Sequence, residues 1–142
     1  MSLSRRKMAA MLPAAALNAL AQEKPTLAAK TYAFDALPVR TSANGATKSR
    51  SVFDGVTTRG QRLTAHITEL APGQAPHAPQ RQKHEEIIIL REGTLEVTLN
   101  GETSTIGPGS IIYSPFENLT GWRNVGTSVA QYYVISIEER QG

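Results

Sequence analysis

The sequence contains no cysteine. Disulfide bonds, zinc–thiolate sites and thiol chemistry are therefore excluded. Aromatic residues are few. The excess of basic residues is local, because Arg5, Arg6 and Lys7 supply three of the 15. The 12 basic residues in the rest of the chain equal the 12 acidic residues in number. A neutral body gives no electrostatic reason to expect binding to nucleic acid or to a membrane surface. The length of 142 residues suggests one domain with a core of its own.

The first residues lack an apolar run long enough to span a bilayer, but they resemble an export signal. The segment MSLSRRKMAAMLPAAALNALAQEK has a basic start, an alanine-rich middle and a small-x-small ending at Ala19-Leu20-Ala21. Its SRRKM stretch resembles a twin-arginine signal. We predict that residues 1–21 are a signal peptide and that the mature chain works in the periplasm or outside the cell, without stable membrane association. The alternative is an amphipathic N-terminal helix that stays attached to a cytoplasmic protein.

Short segments of alternating polarity follow one another from residue 62 onward. They are RLTAHITEL, EEIIILRE, TLEVTLNGETSTI, SIIYS, LTGWRN and SVAQYYVISIE. Asn100-Gly101 fits the two central positions of a type I′ hairpin turn, which need positive φ. Closely spaced strands with turn signals and no long helical period predict an antiparallel sandwich or barrel. Residues 22–60 show a weaker pattern, with a short strand expected in TYAFDALPV and a loop in TSANGATKSRS.

The glycine, proline and acidic positions of this strand region resemble the two motifs of the cupin superfamily. The matching residues are Pro72-Gly73, Glu86 and Gly93 in the first motif and Gly109, Pro115 and Asn124 in the second. This resemblance implies a single all-β domain, an antiparallel jelly-roll β-barrel spanning residues 61–142, preceded by an N-terminal extension with short strands at residues 22–60. It also implies that the three histidine positions of the usual metal site fall on Gln80, Gln82 and Thr120.

Strand geometry indicates what the substituted positions do. Residues two apart on a strand point to the same face, so we expect Gln80 and Gln82 to point into the barrel with Glu86 and Thr120. Amide and hydroxyl oxygens are weak ligands for transition metals, so no tightly held cofactor is expected. The same groups suit a small polar or cationic molecule. Trp122 shares the face of Thr120, where its ring either stacks on a ligand or belongs to the core. Alternatively, the glutamines satisfy one another and Glu86 around trapped water.

A metal-dependent enzyme is the alternative hypothesis. An oxygenase, isomerase or lyase with an unusual ligand set would hold Fe, Mn, Ni or Zn through Glu86 with His84 or His77. Against this, His84 is expected in the connecting turn and His77 on the surface. Glu86 among amides and apolar groups is also a candidate base. The sequence leaves open whether the protein is an enzyme.

The resemblance also concerns assembly. Cupin-like domains commonly pair, and the alternation of EEIIILRE directs the apolar Ile87 and Ile89 away from the cavity while Ile88 and Leu90 share the Glu86 face. We therefore expect a homodimer.

Overall fold

A computed structural model describes residues 23–139 of the chain. The predicted signal peptide lies outside the described residues. The described residues form one 3₁₀ helix (Phe34–Ala36) and ten strands. The strands are β1 (Val39–Thr41), β2 (Thr47–Val56), β3 (Arg62–Leu70), β4 (Gln80–Arg81), β5 (Glu85–Glu92), β6 (Leu95–Leu99), β7 (Glu102–Ile106), β8 (Ile111–Ser114), β9 (Leu119–Asn124) and β10 (Ala130–Glu138). Within this part of the chain, no helix has the length and apolar character needed to cross a membrane.

The strands form two antiparallel sheets. The larger sheet has the order β1-β2-β3-β10-β5-β8, and the smaller sheet has the order β4-β9-β6-β7. Buried side chains from both sheets pack together in one core, which includes Leu70, Ile88 and Tyr132 from the larger sheet and Val97 and Trp122 from the smaller. The predicted all-β jelly-roll barrel is confirmed.

Strand β5 shows why the sequence pattern predicted its orientation. Glu86, Ile88 and Leu90 are buried, and the residues between them, Ile87 and Ile89, are only partly buried. The two-residue period of a strand produces this division, because successive side chains point to opposite faces. Glu86 therefore enters the interior on the same face as the core residues of β5, as predicted.

The hairpin between β6 and β7 turns at the expected dipeptide. Asn100 has a φ of 49° and Gly101 a φ of 86°. Both central positions are in the left-handed region that a type I′ turn requires, which asparagine and glycine tolerate better than other residues. The turn sets Leu99 opposite Glu102, and the prediction is confirmed.

The N-terminal part of the described chain joins the larger sheet. Strand β2 pairs with β3 along its whole length, so residues 47–51 are strand, and the expected loop in TSANGATKSRS was wrong there. These residues have little strand propensity, but the ladder to β3 satisfies their backbone groups and overrides it. In TYAFDALPV, the 3₁₀ helix replaces the expected strand, and only Val39 enters β1.

Candidate functional site

The register of the larger sheet sets a row of polar side chains across its inner face. Ser136 of β10 lies between Thr64 of β3 and Glu86 of β5, and Ser114 of β8 follows on the other side of Glu86. The hydroxyls of Thr64 and Ser136 are hydrogen-bonded to each other. Glu86 is thus flanked by hydroxyl groups on both neighbouring strands.

This row borders a cavity of about 340 Å³ between the sheets. Its lining residues are Thr64, His66, Thr68, Pro76, His77, Gln82, His84, Glu86, Trp122, Tyr132, Val134 and Ser136. Three histidines and one carboxylate therefore face one small space.

Glu86 and His84 form a hydrogen-bonded pair at the edge of this cavity. His84 Nε2 lies 2.8 Å from Glu86 Oε2, and the side chain of Glu86 is 7% exposed. His84 precedes β5 in the connecting turn, as expected, but its ring turns inward to the carboxylate. When Glu86 is ionised, it accepts a hydrogen bond from Nε2–H, and a neutral His84 then keeps Nδ1 as an acceptor.

His66 is the cavity residue whose position the sequence analysis did not foresee. It lies on the polar face of β3 with Thr64 and Thr68, and that face points into the cavity. A strand face that carries polar residues usually points to solvent, whereas this one points into the cavity. The other face of β3 is partly covered, since Arg50 lies opposite Ile67 and its guanidinium group stacks on the ring of Phe34 at 4.3 Å. The alternation of β3 was visible in the sequence, but the side that is covered depends on the tertiary structure.

The burial of His66 predicts a pH dependence of stability. Desolvation lowers the pKa of His66 below its ordinary value of 6.5, and the charge of Glu86 opposes this only in part. Below pH 6.5 the unfolded chain then binds more protons than the folded one, so folding stability should fall as the pH drops from 6.5 through the folded pKa. Thermal unfolding of His66→Gln at neutral pH and at about pH 5 should show a smaller acid-induced decrease than wild type.

Comparing wild type with His66→Gln isolates the contribution of His66 to the pH dependence of stability. The other titratable groups that face the cavity are present in both proteins; they are Glu86, His84, His77 and Tyr132. Equal acid-induced decreases in unfolding temperature for wild type and His66→Gln would contradict the prediction.

Three aromatic rings close another side of the cavity. Trp122 contacts His77 and Tyr132 edge to face, with centroids 5.6 Å apart in each pair. Burial raises the pKa of Tyr132 to about 12, although the Trp122 and Thr68 side chains act in the opposite direction. The Trp122 Nε1–H lies near this tyrosine but makes no complete hydrogen bond within the described part of the chain. Trp122 is therefore both a core residue and a wall of the cavity.

The predicted pocket residues are brought together only in part. Gln82 and Trp122 line the cavity with Glu86. Gln80 is exposed, and its amide nitrogen lies 3.4 Å from His77 Nε2. Thr120 is 2% exposed and lies behind the cavity wall, where its hydroxyl is 2.6 Å from that of Ser114. The expected inward cluster of four side chains is therefore incomplete, because the two-residue β4 leaves Gln80 at the rim.

The cavity is lined by four potential metal ligands, His66, His77, His84 and Glu86, but they do not form one coordinating group. Within residues 23–139, no group of three or more His, Cys, Asp or Glu side chains is close enough to hold a metal ion. Glu86 and His84 form a pair, whereas His77 is half-buried against Trp122. Protein sites for transition metals commonly supply three or four side-chain ligands. As they stand, these side chains do not fit the metal that the resemblance to cupins implies.

A larger groove of about 660 Å³ lies beside His84 and is lined by residues that include Lys83, Glu85 and Phe116. Its charged groups are largely engaged: Lys83 pairs with Glu117, and Glu85 accepts a hydrogen bond from the backbone N–H of Phe116. We place the candidate site in the smaller cavity instead, because that cavity holds a buried carboxylate and partly buried imidazole groups.

The fold and the cavity define a class, the small jelly-roll barrel with a site between its sheets. The chain belongs to the cupin superfamily, because residues 66–136 match the Cupin domain family. Similar solved structures include KdgF from Halomonas sp. (16% identity, TM-score 0.64, 77% of this chain and 94% of that one) and the polyketide cyclase RemF from Streptomyces resistomycificus (21%, 0.60, 81% and 83%). These identities show the fold alone. No curated protein matches the chain significantly.

Proposed function

We propose that the protein binds a small polar molecule, neutral or cationic, in the cavity between the sheets. The observation that carries this proposal is Glu86, a carboxylate that is 5% exposed as a residue and faces the cavity. A buried carboxylate is costly unless hydrogen bonds or opposite charges compensate it. His84 occupies Oε2, and we assign Oε1 as an acceptor for a ligand hydroxyl, amide or ammonium group.

The groups around Glu86 support the same class of ligand. Thr64, Thr68 and Ser136 contribute hydroxyls to the cavity wall, and each hydroxyl can donate or accept a hydrogen bond. The lowered pKa of His66 keeps that imidazole neutral near pH 7, so it adds no positive charge. An anionic ligand would face the carboxylate without a compensating cation on His66. Trp122 supplies an apolar wall against which a flat or ring-shaped molecule can pack.

Proton transfer is a second candidate function, and the His84–Glu86 pair favours it. A carboxylate that holds an imidazole in one tautomer is a common arrangement for a general base. In this case Glu86 is the positioning group, and His84 Nδ1 is the atom that receives the proton. The metal-dependent alternative has less support, because the four potential ligands that line the cavity are not grouped closely enough to hold a metal ion together.

The test of the binding proposal combines metal analysis with ligand binding. Protein purified without chelators is assayed for bound metal, and thermal shift and calorimetry then compare glucose, glucuronate and ethanolamine as neutral, anionic and cationic probes. We expect saturable binding of a neutral or cationic probe. Glu86→Gln should weaken it at least about tenfold, because the charged acceptor is lost while the volume is kept. Glu102→Gln, on the exposed strand β7, is the matched control and should bind like wild type.

Binding of glucuronate alone, or equal binding by Glu86→Gln and wild type, would contradict the proposal. Stoichiometric metal in the purified protein would instead favour the metal-dependent enzyme. Export of the mature chain stays a prediction from residues 1–21.

A further inference from the structure

A short segment before β4 lies along one edge of β9. It is anchored at both ends: a backbone hydrogen bond of 2.9 Å joins Asn124 to Gln74, and Gln80 pairs with Thr120. Residues 75–79 lie between these anchors, so five residues span a stretch in which β9 has only three. The surplus length makes this segment bulge away from a regular strand pairing. We call residues 75–79 the strap.

The strap forms part of the cavity wall. Pro76 and His77 line the cavity, and the His77 ring contacts the Trp122 ring edge to face. His77 and Trp122 also line an outer groove of about 480 Å³, whose other walls include the exposed residues Pro79 and Arg123. The strap is therefore a partition between the cavity and this outer groove.

The strap is held less firmly than the strands around the cavity. Within the described part of the chain, its residues take part in no backbone–backbone hydrogen bond, and Pro76 and Pro79 have no N–H to donate. The His77 Nδ1–H donates to the Ala78 carbonyl inside the strap at 2.8 Å, and the contact of its Nε2 with the Gln80 amide is long, at 3.4 Å. Opening the strap therefore breaks few hydrogen bonds, whereas moving a wall residue of β3 or β10 breaks a continuous ladder.

The loop between β4 and β5 also borders the cavity, but it is tied to its neighbours. The Glu117 N–H donates a hydrogen bond of 2.7 Å to the Gln82 carbonyl, and Lys83 pairs with the Glu117 carboxylate. His84 is hydrogen-bonded to Glu86. This loop would lose all three contacts on opening, so the strap is the wall that opens at the lower cost.

Gly121 gives the strap its seat on β9. A Cβ built at Gly121 would lie 2.7 Å from the Pro79 Cγ and 3.0 Å from its Cα and Cβ, whereas non-bonded carbon atoms pack at about 3.5–4.0 Å. A side chain at position 121 would therefore displace the strap. The closed position of the strap depends on the absence of that side chain.

We propose that the strap is the entrance to the cavity: it rests against Gly121 and Trp122 and lifts between its two anchors to admit a small molecule. Gly121 acts as a positioning residue, because it touches the strap and does not line the cavity. When the strap lifts, His77 leaves the wall beside Trp122, and the outer groove becomes continuous with the cavity. This route is set by the chain and not by the ligand, so it goes beyond the proposed binding function.

Acrylamide quenching of tryptophan fluorescence measures this opening. Trp122 is the one tryptophan of the sequence and is 6% exposed. Acrylamide is a small, neutral, polar molecule that must contact the indole ring to quench it. Gly121→Ala should raise the quenching constant at least about twofold, because the added methyl group pushes the strap off β9. Gly107→Ala is the matched control and should be quenched like wild type, because a Cβ there meets nothing within 4 Å.

A disulfide between the strap and β9 provides the opposite test. The chain has no cysteine of its own, and a Cβ at position 121 lies 3.0 Å from the Pro79 Cβ, close to the roughly 3.5–4.5 Å of a disulfide. The variant Pro79→Cys/Gly121→Cys can therefore lock the strap, and thiol titration verifies the cross-link. Its oxidised form should be quenched at least about threefold less than the same protein after reduction, because the entrance cannot open.

Equal quenching of the fully oxidised and reduced forms would overturn the proposal, as would a folded Gly121→Ala that is quenched like wild type. Circular dichroism checks that each variant is folded. If Gly121→Ala does not fold, Pro79→Gly replaces it. That change removes the ring that rests on Gly121 and loosens the strap, so it should also raise the quenching constant, and a wild-type value would contradict the proposal.

Discussion

Replacing Gln80, Gln82 and Thr120 by histidine should raise the affinity for divalent transition metals at least about 100-fold, because an imidazole is a much stronger ligand than an amide or a hydroxyl oxygen. Gln82 already lines the cavity with Glu86. Gln80 lies opposite Thr120 in the β4–β9 pairing, and Thr120 contacts Ser114, the strand neighbour of Glu86. Only Gln82 lines the cavity with Glu86, so the prediction requires that a histidine at position 80 turns inward from the rim and that one at position 120 reaches past Ser114. Calorimetry with Ni²⁺ and Mn²⁺ measures the gain.

Two further variants make this result interpretable. Glu86→Gln in the triple-histidine background should remove most of the gained affinity, because it removes the charged ligand. The double variant Gln80→His/Gln82→His avoids the buried Thr120, where a larger side chain costs about 1–3 kcal/mol of stability. It should still bind metal better than wild type. If the folded triple variant binds no more tightly than wild type, the positions do not converge on Glu86, and the correspondence with the cupin motif is wrong at these residues.

Gly93→Ala should be strongly destabilising, because this position combines a positive φ with a close backbone contact. Gly93 has a φ of 93°, and a Cβ built there would lie 2.7 Å from the Ala130 Cα and 2.8 Å from its Cβ. Positive φ costs alanine about 1 kcal/mol, and overpacking against a neighbouring backbone adds about 1–3 kcal/mol. Chemical denaturation should therefore show a loss of about 2–4 kcal/mol in the free energy of unfolding.

Gly101→Ala is the matched control for this prediction. Its φ of 86° is similar, but a Cβ there meets nothing within 4 Å. The expected loss is about 1 kcal/mol, from the backbone strain alone. The difference between the two variants measures the cost of the close approach between Gly93 and Ala130. Equal losses would mean that Ala130 moves away freely, although it is completely buried.

Features that depend on neighbouring residues in the chain were predictable. The alternation of Glu85–Glu92 predicted which side chains enter the interior. Asn100-Gly101 predicted its turn because few other pairs tolerate positive φ at both positions. The spacing of glycine, proline and Glu86 indicated the cupin barrel. In each case the backbone conformation or the two-residue strand period acts over a few residues, so the pattern is readable without the rest of the fold.

Features that depend on distant elements were decided only by the tertiary structure. Thr47–Ser51 became strand because β3 lies beside it, and His66 became a cavity residue because the other face of β3 is covered in part. His84 turned inward because Glu86 offers its carboxylate 2.8 Å away, whereas Gln80 stayed at the rim of a two-residue strand. Burial and hydrogen bonding between elements far apart in sequence determine these positions, and no local period of the sequence records which element will lie opposite.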